Sequence, residues 1–249
     1  MTAEPDLDGE PGDVAARRRS PTELVVLDMA GTTVRDDGLV ERAFVRAMAS
    51  AGVASDDPAM ADHLAFVHAS MGVSKIDVFR ALLGDEARAR GATRAFEQAV
   101  ADAVSAGEVV PIDGAEAAMR RMRAASLAIC LTTGFSADTQ AAIVDALGWD
   151  GLVDLTVAPG PGVRGRPHPD MILHAVLTLG VDDVAAVAVA GDTASDLLSG
   201  WRAGAGVVAG VLTGAHRREE LAVAPHTHLL ASVADLPELV LPPRSEPGR

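Results

Sequence analysis

Two acidic segments follow apolar runs, at positions where a carboxylate can act as a nucleophile or bind a metal ion. Asp28 ends the β-branched run ELVVLD at 23–28, and Asp192 follows a second apolar run in the segment GDTASD at 191–196. A carboxylate at the end of a strand can attack a phosphoryl centre or hold Mg²⁺ when a cation screens the incoming anion. Asp192 and Asp196 lie four residues apart on a loop that leads into a helix, which suits a Mg²⁺ ligand and a partner that orients it.

Two further residues are candidates for binding an anion beside these acids. Thr133 lies in the segment TTG at 132–134, where a strand gives way to a helix, and Arg166 lies in RGRP at 164–167. Each signal alone is weak, because a strand-end Asp is equally a helix cap and an isolated Arg is more often a surface charge. The ordered series of acid, Thr-Gly, base and Gly-Asp, each at a strand end, is far more specific.

This series resembles the four sequence motifs of the haloacid dehalogenase superfamily over about residues 23–215. The resemblance implies that Asp28 is a covalent nucleophile and that Thr133 and Arg166 bind phosphoryl oxygens. It also implies a Mg²⁺ cofactor, held by Asp28, the carbonyl of Ala30 and Asp192, with Asp196 orienting these ligands.

Ala30 distinguishes this chain from most phosphatases of the superfamily. Most phosphatases of the superfamily carry a second Asp two residues after the nucleophile, where it protonates the leaving oxygen, but this chain has Ala30 there. The segment DMAGTT at 28–33 is similar to the first motif of phosphonoacetaldehyde hydrolase (phosphonatase), which cleaves a carbon–phosphorus bond. Arg166, where most relatives use Lys, and TTG at 132–134 follow the same family.

Lys75 is the one lysine of the chain, beside 20 arginines. Codon bias explains the scarcity of lysine, but it does not explain this position. The segment MGVSKID at 71–77 is similar to the phosphonatase segment that carries the Schiff-base lysine. The resemblance implies that Lys75 forms the imine and that Met71, Gly72 and Gly134 line the substrate side. The alternative is that Lys75 is only a solvated helix start.

The chemistry of the leaving group connects Ala30 with Lys75. An oxygen leaving group benefits from a proton donor, whereas a carbon leaving group needs an electron sink. A protonated imine between an aldehyde and an amine is such a sink. Loss of the acid at position 30 and retention of a lysine therefore support one mechanism.

Ser74 and Asp77 form a Ser-x-x-acid pattern ahead of apolar residues at helical spacing. The pattern predicts Ser74 as the N-cap of a helix whose first residue is Lys75. A helix N-terminus lowers the pKa of an amine, whereas Asp77 and a bound phosphonate raise it, so the sequence leaves the sign open.

Three positions depart from the phosphonatase pattern, and they leave the exact aldehyde open. Val78 stands where the family has a His that is a proposed proton carrier, Phe135 where it has Tyr, and Gly38 where it has Cys. Candidates for another proton carrier are His63, His68 and His168.

The elements that must position these residues alternate along the chain. Strands separated by helices of ~10–15 residues predict an α/β fold, a Rossmann-like, doubly wound parallel sheet. Ligands of such sheets bind at the carboxyl ends of the strands, where the polar loops lie. We expect a disordered tail at 1–20, a core at 21–38 and 108–243, and an inserted helical cap at 39–107.

Composition limits the other classes of function. The chain is 49% hydrophobic, enough for a sizeable core, and its formal net charge of −14 argues against nucleic-acid binding through a broad basic surface. The single Cys130 rules out an intramolecular disulfide, and the sequence shows neither a signal peptide nor a membrane span. We expect a cytoplasmic protein with a small-molecule phosphonate or phosphate substrate, compatible with a homodimer.

The sequence therefore predicts a Mg²⁺-dependent hydrolase that cleaves the carbon–phosphorus bond of phosphonoacetaldehyde or a similar 2-oxoalkylphosphonate. The first alternative is an ordinary phosphomonoesterase with the same fold. The second is a catalytically silent binding protein.

Overall fold

Six parallel strands form the centre of the molecule in a computed structural model, which describes residues 20–242. They are β1 (Leu24–Asp28), β2 (Ala128–Thr132), β3 (Leu155–Val157), β4 (Val187–Gly191), β5 (Val207–Val211) and β6 (His228–Leu230). The strand order across the sheet is β3-β2-β1-β4-β5-β6. The chain thus builds outward from β1 on one side and then returns to build the other side, which is the doubly wound arrangement.

Apolar residues cover both faces of the sheet. Every residue of β1 is buried, and its side chains alternate between two hydrophobic clusters. Val25 and Leu27 join the larger cluster, whereas Leu24 and Val26 join a second cluster beneath a core helix. A strand that is buried on both faces requires a continuous apolar sequence, which explains the run that ends at Asp28.

Four helices lie between β1 and the rest of the core. They are α1 (Leu39–Ser50), α2 (Met60–Ala69), α3 (Lys75–Leu83) and α4 (Glu86–Ser105). The core helices are α5 (Ala115–Ala124), α6 (Ala137–Ala146), α7 (Asp170–Leu179), α8 (Ala194–Ala203), α9 (Arg218–Ala222) and α10 (Leu236–Val240). Short 3-10 turns occur at Val184–Ala186 and Val233–Asp235.

Four aromatic rings connect the cap helices with the core. Phe44 of α1 stacks on Phe79 of α3 with ring centres 5.6 Å apart, and Phe79 meets Phe96 of α4 at 6.2 Å. Phe96 then contacts Phe135, in the loop after β2, at 5.8 Å. These contacts fix α3 and α4 over the carboxyl ends of the strands.

The predicted fold class is confirmed, including the helical insert. The strand β6 has no clear signal in the sequence, because it is three residues long, only partly buried, and carries no apolar run beyond Leu229 and Leu230. The domain limits stay a prediction, and most of the predicted tail at 1–20, with residue 243, lies outside the described residues. No helix within residues 20–242 combines the length and apolar character that a membrane span requires.

Candidate active site

The ends of three neighbouring strands bring the predicted polar residues together. Asp28 ends β1 and lies opposite Thr132, the last residue of β2. Asp192 follows β4, which pairs with the other side of β1. Arg166 reaches the same place from the loop between β3 and α7. The sheet topology therefore brings together at one site residues that lie up to 164 positions apart in the sequence.

Arg166 holds two carboxylates in this site. Its Nη1 atom donates to Oδ1 of Asp28 at 2.6 Å and also to Oδ1 of Asp196. The other oxygen of Asp196 accepts the N–H and the hydroxyl of Thr193, so both its oxygens are engaged, which suits an orienting role. Arg166 is only 3% exposed, and its Nε and Nη2 atoms have no hydrogen-bond partner within residues 20–242. A buried guanidinium with two unused donors can bind the oxygens of an anion.

Asp28, Asp192 and Asp196 form a buried carboxylate cluster, in which one oxygen from each residue lies within 4.8 Å of the other two. Burial raises the pKa of Asp28 to about 6, with Arg166 opposing the rise and Asp196 adding to it. Burial and then the charges of Asp28 and Asp196 raise the pKa of Asp192 well above its usual range. Such crowded carboxylates need a cation beyond Arg166, and a set of oxygen donors fits Mg²⁺.

The loop after β1 is shaped around Asp192. Its oxygens accept the hydroxyl of Thr32 at 3.2 Å and the N–H of Ala215 at 2.7 Å. Gly31 has a φ of 85°, and a Cβ there would lie 2.5 Å from Oδ2 of Asp192, so only glycine fits. The carbonyl of Ala30 accepts no hydrogen bond within the described residues, which leaves it free to act as a metal ligand.

Lys75 reaches the site from the first residue of α3. The residue is 8% exposed, and its backbone N–H donates to the carbonyl of Gly134 at 3.2 Å. Burial lowers the pKa of Lys75 to about 8, and the charge of Arg166 contributes to the fall. The charges of Asp36, Asp28 and Asp192 oppose it. The direction of the pKa shift of Lys75, which the sequence left open, is therefore downward, and burial is its largest cause.

Ser74 occupies the predicted N-cap position of α3, but the predicted capping bonds are absent. The side chain of Ser74 accepts no capping hydrogen bond. The carboxylate of Asp77 instead accepts a hydrogen bond from Arg80 at 3.0 Å. The helix start was predicted correctly, and the capping pattern was wrong because the arginine competes for the acid.

The cap segment before Lys75 lies directly on the core loops. Gly72 has a φ of 81°, and a Cβ there would lie 2.7 Å from Oγ1 of Thr193. Val73 forms a β-bridge with Arg166. A Cβ on Gly134 would lie 2.7 Å from the carbonyl oxygen of Val73. Both glycines thus permit the close approach of cap and core, and the cap is closed.

The remaining predicted residues fall near this contact. Thr133 is buried, and its Oγ1 accepts the N–H of Phe135 at 3.2 Å, which leaves the hydroxyl proton available. Met71 lies half-buried beside Gly72. Val78, at the position where phosphonatases carry a His, is buried in the hydrophobic cluster.

Several residues that shape the site are not among those predicted from the sequence. Asp36 is half-buried and acts on the charge of Lys75, and His216 lies between cap and core. Phe96 lies beneath the amine of Lys75. Neither Asp36 nor Phe96 is marked by a motif, because each reaches the site through the packing of the cap. Thr32, in contrast, belongs to the segment DMAGTT and could have been proposed.

The sequence profile of haloacid dehalogenase-like hydrolases matches residues 22–204. The chain belongs to this family of hydrolases. Among individual relatives, it is 29% identical to the phosphonoacetaldehyde hydrolase of Bordetella pertussis, over 88% of this chain and 91% of the relative.

Solved structures of other proteins show the same fold. A phosphonoacetaldehyde hydrolase-like protein from Oleispira antarctica superposes with a TM-score of 0.74 at 23% identity, covering 89% of this chain and 92% of the other. A predicted phosphoglycolate phosphatase from Haemophilus somnus gives a TM-score of 0.72 at 15% identity, covering 88% and 97%. The fold is therefore common to relatives named for different substrates.

Proposed function

We propose that this hydrolase cleaves the carbon–phosphorus bond of phosphonoacetaldehyde or a similar 2-oxoalkylphosphonate. The observation that carries the proposal is the buried amine of Lys75, whose pKa is lowered to about 8 at a site where Ala30 replaces an acid. An amine that loses its proton near neutral pH can condense with an aldehyde, whereas an arginine cannot. The similarity to the Bordetella pertussis enzyme supports the same substrate class.

The reaction begins on the aldehyde. The neutral amine of Lys75 adds to the carbonyl carbon, and the resulting carbinolamine takes up one proton from solvent and loses water, which gives a protonated imine. Arg166 donates to phosphonate oxygens through its unused Nε and Nη2 atoms, and the hydroxyl of Thr133 donates beside them. These contacts place phosphorus in front of the Asp28 carboxylate.

Asp28 then attacks phosphorus while the carbon–phosphorus bond breaks. The electron pair of that bond moves toward the imine nitrogen, so the departing carbon becomes an enamine on Lys75. Water hydrolyses the aspartyl-phosphate on Asp28, and protonation and hydrolysis of the enamine release the aldehyde and the free lysine. No proton donor to a leaving oxygen is needed, which agrees with Ala30.

Mg²⁺ would be held by Asp28, the carbonyl of Ala30 and Asp192, with Asp196 orienting these ligands. When bound, it supplies positive charge that screens the carboxylate nucleophile from the phosphonate. Arg166 alone faces two carboxylates and cannot supply that charge.

The burial of the site makes cap motion part of each turnover. Asp28, Lys75 and Arg166 are each less than a tenth exposed, so a substrate can enter only after the cap segment leaves the core loops. Closure then removes water, which strengthens the charge interactions around the phosphonate.

A phosphomonoesterase with the same fold is the second candidate, and the phosphatase named among its structural neighbours favours it. Ala30 argues against it, since a leaving oxygen would lack its donor. A silent binding protein is the third candidate. The buried cluster of Asp28, Asp192 and Asp196 around Arg166 argues against that one, because it is costly to fold without a function.

A product assay separates these candidates. Purified protein with Mg²⁺ is given phosphonoacetaldehyde, close 2-oxoalkylphosphonates or an aryl phosphate, and phosphate and aldehyde release are followed. The proposal predicts equal amounts of both products from a 2-oxoalkylphosphonate and faster turnover of it than of the ester. Faster ester hydrolysis would establish the phosphatase, and absence of all turnover would favour the binding protein.

A further inference from the structure

His216 joins the cap to the core at the edge of the active site. It lies in the loop between β5 and α9 and is buried. Its Nδ1 accepts the N–H of Ala194, at the start of α8, at 3.1 Å, and its Nε2 lies 3.2 Å from the carbonyl oxygen of His68, near the end of the cap helix α2. Because Nδ1 accepts a hydrogen bond, the ring proton lies on Nε2, and this N–H donates to the backbone carbonyl of His68.

His216 also belongs to a group that resembles a metal site. Ligand atoms of His68, His216 and Glu220 lie within 4.8 Å of one another, and the two imidazole rings stack at 5.5 Å. A metal on Nε2 of His216 requires a proton on Nδ1. That proton would face the N–H of Ala194, and two donors would oppose each other. The hydrogen bonds of His216 to Ala194 and to His68 therefore favour a link between cap and core over a metal site. This pair of hydrogen bonds is called the joint.

On the cap side, the joint holds the segment that covers the active site. The carbonyl of His68 that accepts from His216 also accepts the N–H of Met71 at 3.2 Å. Met71 begins the segment in which Gly72 packs on Thr193 and Val73 bridges Arg166. The bond from His216 thus reaches the start of this segment.

On the core side, the joint belongs to the loop that surrounds Asp192. The backbone N–H of His216 donates to the carbonyl of Asp192 at 3.3 Å, and the N–H of Ala215 donates to its carboxylate at 2.7 Å. A Cβ on Gly214 would overlap the same carboxylate. The loop at 214–216 therefore fixes a carboxylate that is assigned to Mg²⁺.

We propose that His216 is a positioning residue that couples closure of the cap to the placement of Asp192. The bond to His68 forms only when the cap lies on the core, and the same loop places the carboxylate. The proposal rests on the metal site of the proposed function but not on the imine. It therefore holds for a phosphonate and for a phosphate ester alike.

Two variants of His216 separate the hydrogen bond of Nδ1 from that of Nε2. His216→Asn retains an acceptor near the position of Nδ1 but is too short to reach His68. His216→Gln places an amide donor near the position of Nε2 and retains the bond to the cap. His226→Asn is the matched control, because the Nδ1 of His226 lies 2.8 Å from the carbonyl of Ala224, which belongs to the core.

Hydrogen exchange of the cap segment at residues 70–74 measures closure without any turnover. If Mg²⁺ orders Asp192, it stabilises the closed cap through His216 and slows exchange. We expect a slowing of about three- to tenfold in the wild type, in His226→Asn and in His216→Gln, the range that one hydrogen bond supplies. We expect no slowing in His216→Asn, although calorimetry still detects Mg²⁺ binding.

The same experiment can overturn the proposal. It fails if Mg²⁺ slows exchange equally in His216→Asn, or if Mg²⁺ has no effect on the wild type. Nitrogen-15 spectra of histidine-labelled wild type need no variant and should show Nδ1 of His216 accepting a hydrogen bond and a proton on its Nε2 atom. A proton on Nδ1, or tight Zn²⁺ binding that His68→Gln abolishes, would also overturn it. Failure of phosphonate cleavage leaves all these readouts unchanged.

Discussion

The Nζ atom of Lys75 lies 5.6 Å from the centre of the Phe96 ring. A ring face attracts an ammonium group, and more strongly once that group is desolvated, which favours the charged form. The pKa of Lys75 nevertheless falls to about 8, because burial disfavours the charged amine and the charge of Arg166 adds to the fall. The cap therefore provides an amine that is partly neutral at the pH of most cells.

The first prediction concerns pH. Imine formation requires the neutral amine, so its rate should rise with pH and level off above about 8, rather than above the ordinary lysine value of 10.5. The measurement is the rate of substrate-dependent borohydride trapping between pH 6 and 10. A midpoint near 10 would show that the amine is solvated.

The second prediction concerns Asp36, the acid whose charge most strongly raises the pKa of Lys75. Asp36→Asn removes that charge and keeps an oxygen to accept the N–H of Val40, now at 2.8 Å. The trapping midpoint should therefore move to lower pH. Asp37→Asn is the matched control, because Asp37 is the exposed neighbour in the same loop, and it should leave the midpoint in place. Equal shifts in both variants would refute a specific role for Asp36.

Much of the candidate site could be predicted from the sequence, because several of its residues lie at the ends of strands. Asp28, Thr133 and Asp192 each follow an apolar run, and parallel strands place such ends at one edge. Lys75 lies in the cap, so its approach to the core followed from the family resemblance and not from periodicity.

The rest depends on packing between segments that are distant in sequence. Phe96 lies beneath Lys75 because α4 packs on α3, and His216 meets His68 because α2 ends over the β5 loop. Helical periodicity shows which face of a helix is buried, but not which residue it meets. The direction of the pKa shift of Lys75 likewise depends on burial, which the sequence does not specify.

The third prediction concerns Ala30. Ala30→Asp restores the acid that protonates a leaving oxygen, and a general acid is typically worth ~10²–10⁴-fold. Hydrolysis of an aryl phosphate should rise, while phosphonate cleavage should not. The readout is the ratio of the two kcat/KM values, with Ala30→Asn as the control for size. A rise in phosphonate cleavage would contradict the leaving-group argument.

The fourth prediction concerns Asp28. Asp28→Asn removes the nucleophile and should lower kcat by several orders of magnitude on any substrate. Asp150→Asn, at an exposed acid outside the site, should keep wild-type activity. Phosphate release and the melting temperature are measured together to show that the fold persists. Activity of Asp28→Asn within about tenfold of the wild type would exclude covalent catalysis by this residue.

Trapping the imine on Lys75 tests imine catalysis most directly. Borohydride reduces an imine to a stable secondary amine, and Lys75 carries the single side-chain amine of the chain, so the α-amino group of Met1 is its competitor. We expect substrate-dependent inactivation and one adduct, which peptide mapping places on Lys75. Lys75→Arg keeps the charge and should lose both the adduct on residue 75 and phosphonate cleavage. An adduct on Met1 alone, or phosphonate cleavage retained by Lys75→Arg, would contradict imine catalysis by Lys75.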